Sequence, residues 1–125
     1  MLLSVLIVDD TEFMRFIMRE IMSDMAIGMI AEAGDKDEAI ALAEALQPDI
    51  AVVDFTDPNL EAPDIVRSLH KVGNELPVVA ITHLDDTAQI REATAAGACA
   101  QIVKPFDPSA VKSVLQDILE AVPVS

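Results

Sequence analysis

Asp9 and Asp10, Asp54, Thr82 and Lys104 each stand where a short apolar run gives way to a reactive or charged side chain. Brought to one rim, these groups could work on a single substrate. Two or three clustered carboxylates repel one another unless a hard cation sits among them. Mg2+, with Mn2+ as a substitute, suits a cage of carboxylates and water completed by phosphate oxygens. A lysine and a hydroxyl beside that cage could hold a trigonal phosphoryl group during in-line transfer. The chemistry expected is phosphoryl transfer to a carboxylate. Singly, each residue has a plainer role: Asp9 or Asp10 as the cap of a following helix, Lys104 before Pro105 as a solvated turn residue, Thr82 as an ordinary strand end. The joint arrangement is what points to chemistry.

The elements that must position these groups are legible as alternating patterns. Short apolar runs rich in β-branched residues fall at 3–8, 29–33, 50–53, 78–81 and 99–103. They are continuous rather than alternating, as strands are when helices cover both faces of a parallel sheet. Amphipathic stretches at 12–26, 36–46, 62–73, 86–96 and 107–121 lie between and after them. Strict alternation implies right-handed crossovers and an α/β, doubly wound (βα)5 sandwich of three layers. Asp35 is placed to cap the second helix. Asp107 followed by Pro108 opens the last, and Gly73 and Gly97 stand at helix stops. In such a sheet, ligands bind at the carboxyl ends of the strands, where the singled-out residues fall.

At 125 residues and 52% apolar, the chain can bury one core, so residues 1–125 are read as a single domain without an output domain. A formal charge of −14 repels phosphate backbones and anionic lipids, which argues against nucleic acid or membrane partners. Cys99, alone of its kind, cannot form an internal disulfide. No secretory leader pattern precedes the first strand, and no run approaches the roughly 20 apolar residues that span a bilayer. A cytoplasmic setting is expected.

The order Asp9-Asp10, Asp54, Thr82, Lys104-Pro105 resembles the response-regulator receiver domain family over the whole chain. Leu6-Ile7-Val8-Asp9-Asp10 with Met14-Arg15 is similar to the opening of chemotaxis-type receivers, and Gly97-Ala98 leading to Lys104-Pro105-Phe106 to their close. The resemblance implies a flavodoxin-like sheet of five parallel strands in the order 2-1-3-4-5. It also implies that Asp54 accepts a phosphoryl group from a histidine kinase, a phosphotransfer protein or a small phosphodonor. Asp10, Asp54 and the Thr56 backbone carbonyl would hold Mg2+, with Asp9 acting through a water. Lys104 and Thr82 would contact the phosphoryl group, and a protein-binding surface would shift in response. A receiver fold that serves as a phosphorylation-independent interaction module is the alternative.

Several positions depart from the family pattern. Gln101 stands where many receivers carry an aromatic switch residue; it can hydrogen-bond differently in two states but has no ring to rotate. His83 follows Thr82 where a small residue is usual; the imidazole either restricts access to the acceptor or alters phosphate release, or it is a solvent-facing loop side chain without a role. Asp57 replaces an apolar residue and is expected to face solvent and bond its own turn, with tuning of metal binding as the alternative, and Ala62 replaces a common glycine. Thr56 and Leu84 lie where related domains set phosphoryl lifetime, and their uncharged character implies slow self-dephosphorylation. Phe13, Met14, Phe16, Ile17, Met18, Ile21, Met22 and Met25 cover a wider arc of the first helix than core packing needs. Adaptable core filling is the main expectation for its methionines, and a kinase-docking face that includes Met22 and Phe16 is the alternative. His70 reads as a surface residue and Cys99 as a small buried one.

Overall fold

A computed structural model describes residues 3–73, 76–83, 86–105 and 107–121. The strands are β1 (Leu3–Val8), β2 (Ile27–Ala33), β3 (Ile50–Asp54), β4 (Val78–His83) and β5 (Ala100–Lys104). The helices are α1 (Glu12–Met22), α2 (Lys36–Leu46), α3 (Ala62–Val72), α4 (Thr87–Ala96) and α5 (Pro108–Ala121), with a 3-10 turn at Pro58–Leu60. All four strand pairings are parallel and the order is β2-β1-β3-β4-β5, so chain direction across the sheet reverses beside β1 and β3. Every residue of the central strand β3 is buried, because helices cover both of its faces.

The alternation of side chains along the strands builds two cores. Leu6, Val8, Ala51, Val53 and Ala80 meet the layer of α2, α3 and α4, where Ala39, Ala43 and Ala93 let helices approach the sheet closely. Val5, Ile7, Val52, Val79, Ile81 and Ile102 meet α1 and α5 through Met18, Met22, Val111, Leu115 and Leu119. Helix starts follow the local chemistry. Asp35 Oδ1 accepts the Glu38 amide at 2.8 Å while Glu38 Oε1 accepts the Gly34 amide at 2.6 Å. Asp86 and Asp107 cap α4 and α5 in the same way, through the amides of Gln89 and Ala110.

The ends of some elements differ from expectation. The first helix stops at Met22 rather than 26, because the Ser23 hydroxyl donates to the Glu20 carbonyl at 2.7 Å and the next residues turn into β2. That strand starts at Ile27, and Gly28 takes up a register shift opposite Leu3 and Ser4. Arg19 of α1 reaches the β2 main chain, donating to the Ile30 carbonyl at 2.9 Å and pairing with Glu32. Gly97 ends α4 in the left-handed region at φ 114°, whereas Gly73 ends α3 in an extended conformation at φ −142°.

Two surface and core assignments are corrected. His70 is half-buried: its ring packs on Gly97, where a β-carbon would lie 2.7 Å from Cε1, and Nε2 lies 3.2 Å from the Leu76 carbonyl. Cys99 is exposed, one residue before β5 begins, and it lines an open groove with His70, Gly97 and Pro77 at the end of the sheet opposite Asp9, Asp10 and Asp54.

The docking face read into α1 divides in the structure. Met18 and Met22 are each 1% exposed and belong to the core, whereas Phe13 and Phe16 are 66% and 56% exposed. Met22 is therefore no docking residue; the α5 side of the sheet covers it. Met22→Ala is expected to lower the unfolding free energy by about 2–5 kcal/mol through the cavity it leaves. Phe16→Ser is expected to stay within about 0.5 kcal/mol of the parent. Urea unfolding of both variants checks the contrast, and equal losses would contradict this packing.

Candidate functional site

The strand ends converge as the alternating pattern predicts. Asp9 and Asp10 leave β1, Asp54 ends β3, Thr82 is the penultimate residue of β4 and Lys104 ends β5. Since β1, β3, β4 and β5 are consecutive neighbours in the sheet, these residues share one rim. Asp9, Asp10 and Asp54 each offer an oxygen within 4.8 Å of the others. Asp9 and Asp54 are buried, at 1% and 3% exposure, and Asp10 is exposed.

Asp9 Oδ1 accepts the Thr11 amide at 2.8 Å, but Oδ2 is buried and has no hydrogen-bond partner among the described residues. A buried carboxylate oxygen without a donor is costly, and a hydrated cation held by Asp10 and Asp54 would satisfy it through a bound water. The donor set, hard oxygens from three carboxylates, fits Mg2+ or Mn2+. Burial pushes the Asp9 carboxyl up to about 6; the Thr11 amide opposes this, and the charge of Asp54 adds to it. The Asp10 carboxyl is also raised, first by a hydrogen bond shared with Asp57 and then by desolvation, and the same bond lowers Asp57. Asp57 Oδ1 accepts the Asn59 amide at 2.9 Å, capping the 3-10 turn as expected.

Asp54 is held through one oxygen. Its Oδ1 accepts the Thr56 amide at 2.8 Å and the Thr56 hydroxyl at 2.6 Å, and Lys104 Nζ lies 4.0 Å away. Lys104 also donates to Thr56 Oγ1 at 3.3 Å, so the lysine and the hydroxyl steady each other beside the carboxylate. Thr82 has no exposure, and its hydroxyl hydrogen-bonds Gln101 Oε1 on β5 at 3.2 Å. The His83 side chain is exposed, and its amide donates to Gln89 Oε1 at 3.0 Å. Leu84 and Phe106 lie outside the described residues.

Two contributors were not singled out from the sequence. The Arg15 guanidinium donates to the Asp9 main-chain carbonyl and to Glu32 Oε1, tying the acidic loop to β2. The Thr56 hydroxyl is the other, and the Asp-x-Thr spacing at 54–56 is the local signal for it, since a hydroxyl two residues beyond an aspartate can reach back to it.

Residues 5–116 match the family described as the response regulator receiver domain. The chain belongs to that family. It is 33% identical to the chemotaxis protein CheY of Thermotoga maritima over 91% of this chain and 95% of that one. It is 31% identical to the chemotaxis protein CheY of Pseudomonas aeruginosa over 96% and 98%. The response regulator domain of Thermotoga maritima CheB superposes with a TM-score of 0.80 at 28% identity, covering 100% of this chain and 99% of that one. The receiver assignment and the flavodoxin-like order 2-1-3-4-5 thus stand. Receivers are phosphoacceptors with no separate catalytic function, and they bind Mg2+ at an acidic pocket; in this chain Asp9, Asp10 and Asp54 form a group that could hold a metal ion. Among the described residues no helix is long and apolar enough to cross a membrane.

Proposed function

We propose that this receiver takes a phosphoryl group onto Asp54 from a histidine kinase or phosphotransfer protein in the cytoplasm, or from a small phosphodonor, and passes the signal on through its own surface to a downstream protein. The observation that carries this reading is the acidic trio with its orphaned Asp9 Oδ2, set beside Lys104 at the acceptor. An Asp54 carboxylate oxygen attacks phosphorus in line. The bond from phosphorus to the donor's imidazole nitrogen, or to the acetate oxygen of acetyl phosphate, breaks as the new acyl phosphate forms. Asp10, Asp54 and the Thr56 carbonyl would hold Mg2+ or Mn2+, with Asp9 engaged through a water. The cation supplies charge neutralisation at the phosphoryl oxygens. Lys104, already steadied on Thr56, moves a short way to pair with a phosphoryl oxygen. Thr82 donates to another. Uncharged Thr56 beside the acyl phosphate offers no base to activate water, which supports slow self-dephosphorylation. The charge of −14 disfavours nucleic acid and anionic membranes as targets.

Intact-mass measurement after incubation with acetyl phosphate tests the reading. A gain of one phosphoryl group with Mg2+, and none with chelator, is expected. Calorimetric Mg2+ binding without any gain in mass would replace this reading with the phosphorylation-independent interaction module.

A further inference from the structure

Thr82 is fully buried, and its hydroxyl has one proton to donate. The direction of that donation follows from its neighbours. Gln101 pairs in register with Ala80, so Ala80, Thr82 and Gln101 project from one face of the sheet, toward α4. The Gln101 amide nitrogen lies 3.2 Å from the Ile90 carbonyl of α4 and 3.3 Å from Thr94 Oγ1. The Thr94 hydroxyl itself donates to the same Ile90 carbonyl at 3.0 Å. A main-chain carbonyl only accepts, so the NH2 end of Gln101 must face α4 and its Oε1 must face Thr82. The Thr82 proton is therefore committed to Gln101 at 3.2 Å and is not available to the acidic rim. Asp54 pairs with Ile81, which places Thr82 one residue nearer the rim on the adjoining strand.

We infer that Gln101 is a positioning residue that holds the Thr82 hydroxyl in a resting orientation and transmits its release to α4. This rests on Asp54 as the phosphoryl acceptor. A phosphoryl oxygen on Asp54 competes for the Thr82 proton. Once that hydrogen bond is exchanged, Gln101 Oε1 loses its Thr82 donor, the amide turns to find another, and its hold on Ile90 and Thr94 is lost. A receiver without an aromatic residue at this position thereby gains a route from acceptor to helix made of two hydrogen bonds.

The test is amide hydrogen exchange along α4, measured without and with acetyl phosphate and Mg2+, in the parent, Gln101→Leu and Thr82→Val. In the resting state both variants are expected to exchange α4 amides about fivefold faster than the parent, the factor commanded by one neutral hydrogen bond. The double variant should be no faster than either single one, because both cut the same chain of bonds. Phosphorylation should speed α4 exchange in the parent and leave Gln101→Leu unchanged. Gln101→Leu should also take up the phosphoryl group several-fold faster, since the Thr82 proton starts free. Resting α4 exchange that is equal in all chains overturns the inference, as does an undiminished phosphorylation response in Gln101→Leu. Should the parent take up no phosphoryl group, the acceptor reading fails, and the resting-state comparison still decides the link to α4 by itself.

Discussion

Asp54→Asn is expected to give a chain that takes up no phosphoryl group and yet unfolds less readily than the parent in the absence of metal. The first effect follows from chemistry: a neutral amide oxygen is not a competent nucleophile toward phosphorus at neutral pH. The second follows from geometry. Three carboxylates within 4.8 Å repel one another in a largely buried setting, and Asn removes one charge from the group. The Asn carbonyl can still accept the Thr56 amide and hydroxyl, so the local hydrogen bonds survive. Against this stands the lost attraction to Lys104, weak at 4.0 Å and shared with Thr56. Two repulsions removed outweigh one attraction lost, and a net gain of about 1 kcal/mol is the expected order. Urea unfolding in chelator, beside intact mass with acetyl phosphate, reads both effects. A less stable variant would mean that the lysine, rather than the crowding of carboxylates, dominates the site.

Metal-free protein is expected to be more stable near pH 5 than at pH 7.5, with Mg2+ restoring the loss at the higher pH. The Asp9 carboxyl titrates near 6 in the folded chain, above its ordinary 3.8. Between those values the folded chain binds more protons than the unfolded one, so stability falls as pH rises. The contribution is complete below 3.8 and gone once pH passes about 6. A shift of this size corresponds to on the order of 2–3 kcal/mol. Self-repulsion at a net charge of −14 acts in the same direction. Asp10 and Asp57 are displaced in opposite senses, chiefly by their shared hydrogen bond. A cation at the trio takes the place of the proton, so Mg2+ affinity should weaken as pH falls through 6, by up to about tenfold per unit for each proton displaced. Unfolding curves in chelator across this range, with Asp9→Asn for comparison, isolate the term. A parent more stable at pH 7.5 than at 5, or an unaltered profile in Asp9→Asn, would refute it.

Much of this arrangement was legible because it depends on short-range rules. Strands covered on both faces are written as continuous apolar runs, and a charged residue that ends such a run has nowhere to go but the rim; Asp9, Asp54 and Lys104 were found that way. Asp35 and Asp107 disclosed their helix starts by the same kind of local chemistry. What escaped depends on how elements meet. Met22 and Phe16 are both apolar and six positions apart on one helix, and only the packing of α1 against the sheet and α5 decides that one is core and the other exposed. His70 looked like a surface residue until Gly97 opened a place for its ring. Arg15 gave no sign that it braces the Asp9 main chain, because its partner Glu32 is 17 positions away on β2. Gln101 was visible only as a missing aromatic, and its two hydrogen-bonding ends acquired meaning once β4, β5 and α4 were in place.

The reach of Arg19 onto β2 bears on how this protein behaves at high concentration. β2 is an outer strand of the sheet, and Met29 on it is 47% exposed, so its open side could template pairing with another chain. The guanidinium on the Ile30 carbonyl occupies one of the main-chain acceptors that such pairing would need, and the ion pair with Glu32 keeps it there. A charged side chain from the neighbouring helix thus acts as a gatekeeper against edge-to-edge self-association, leaving the sheet to end at β2 rather than continue into a second molecule.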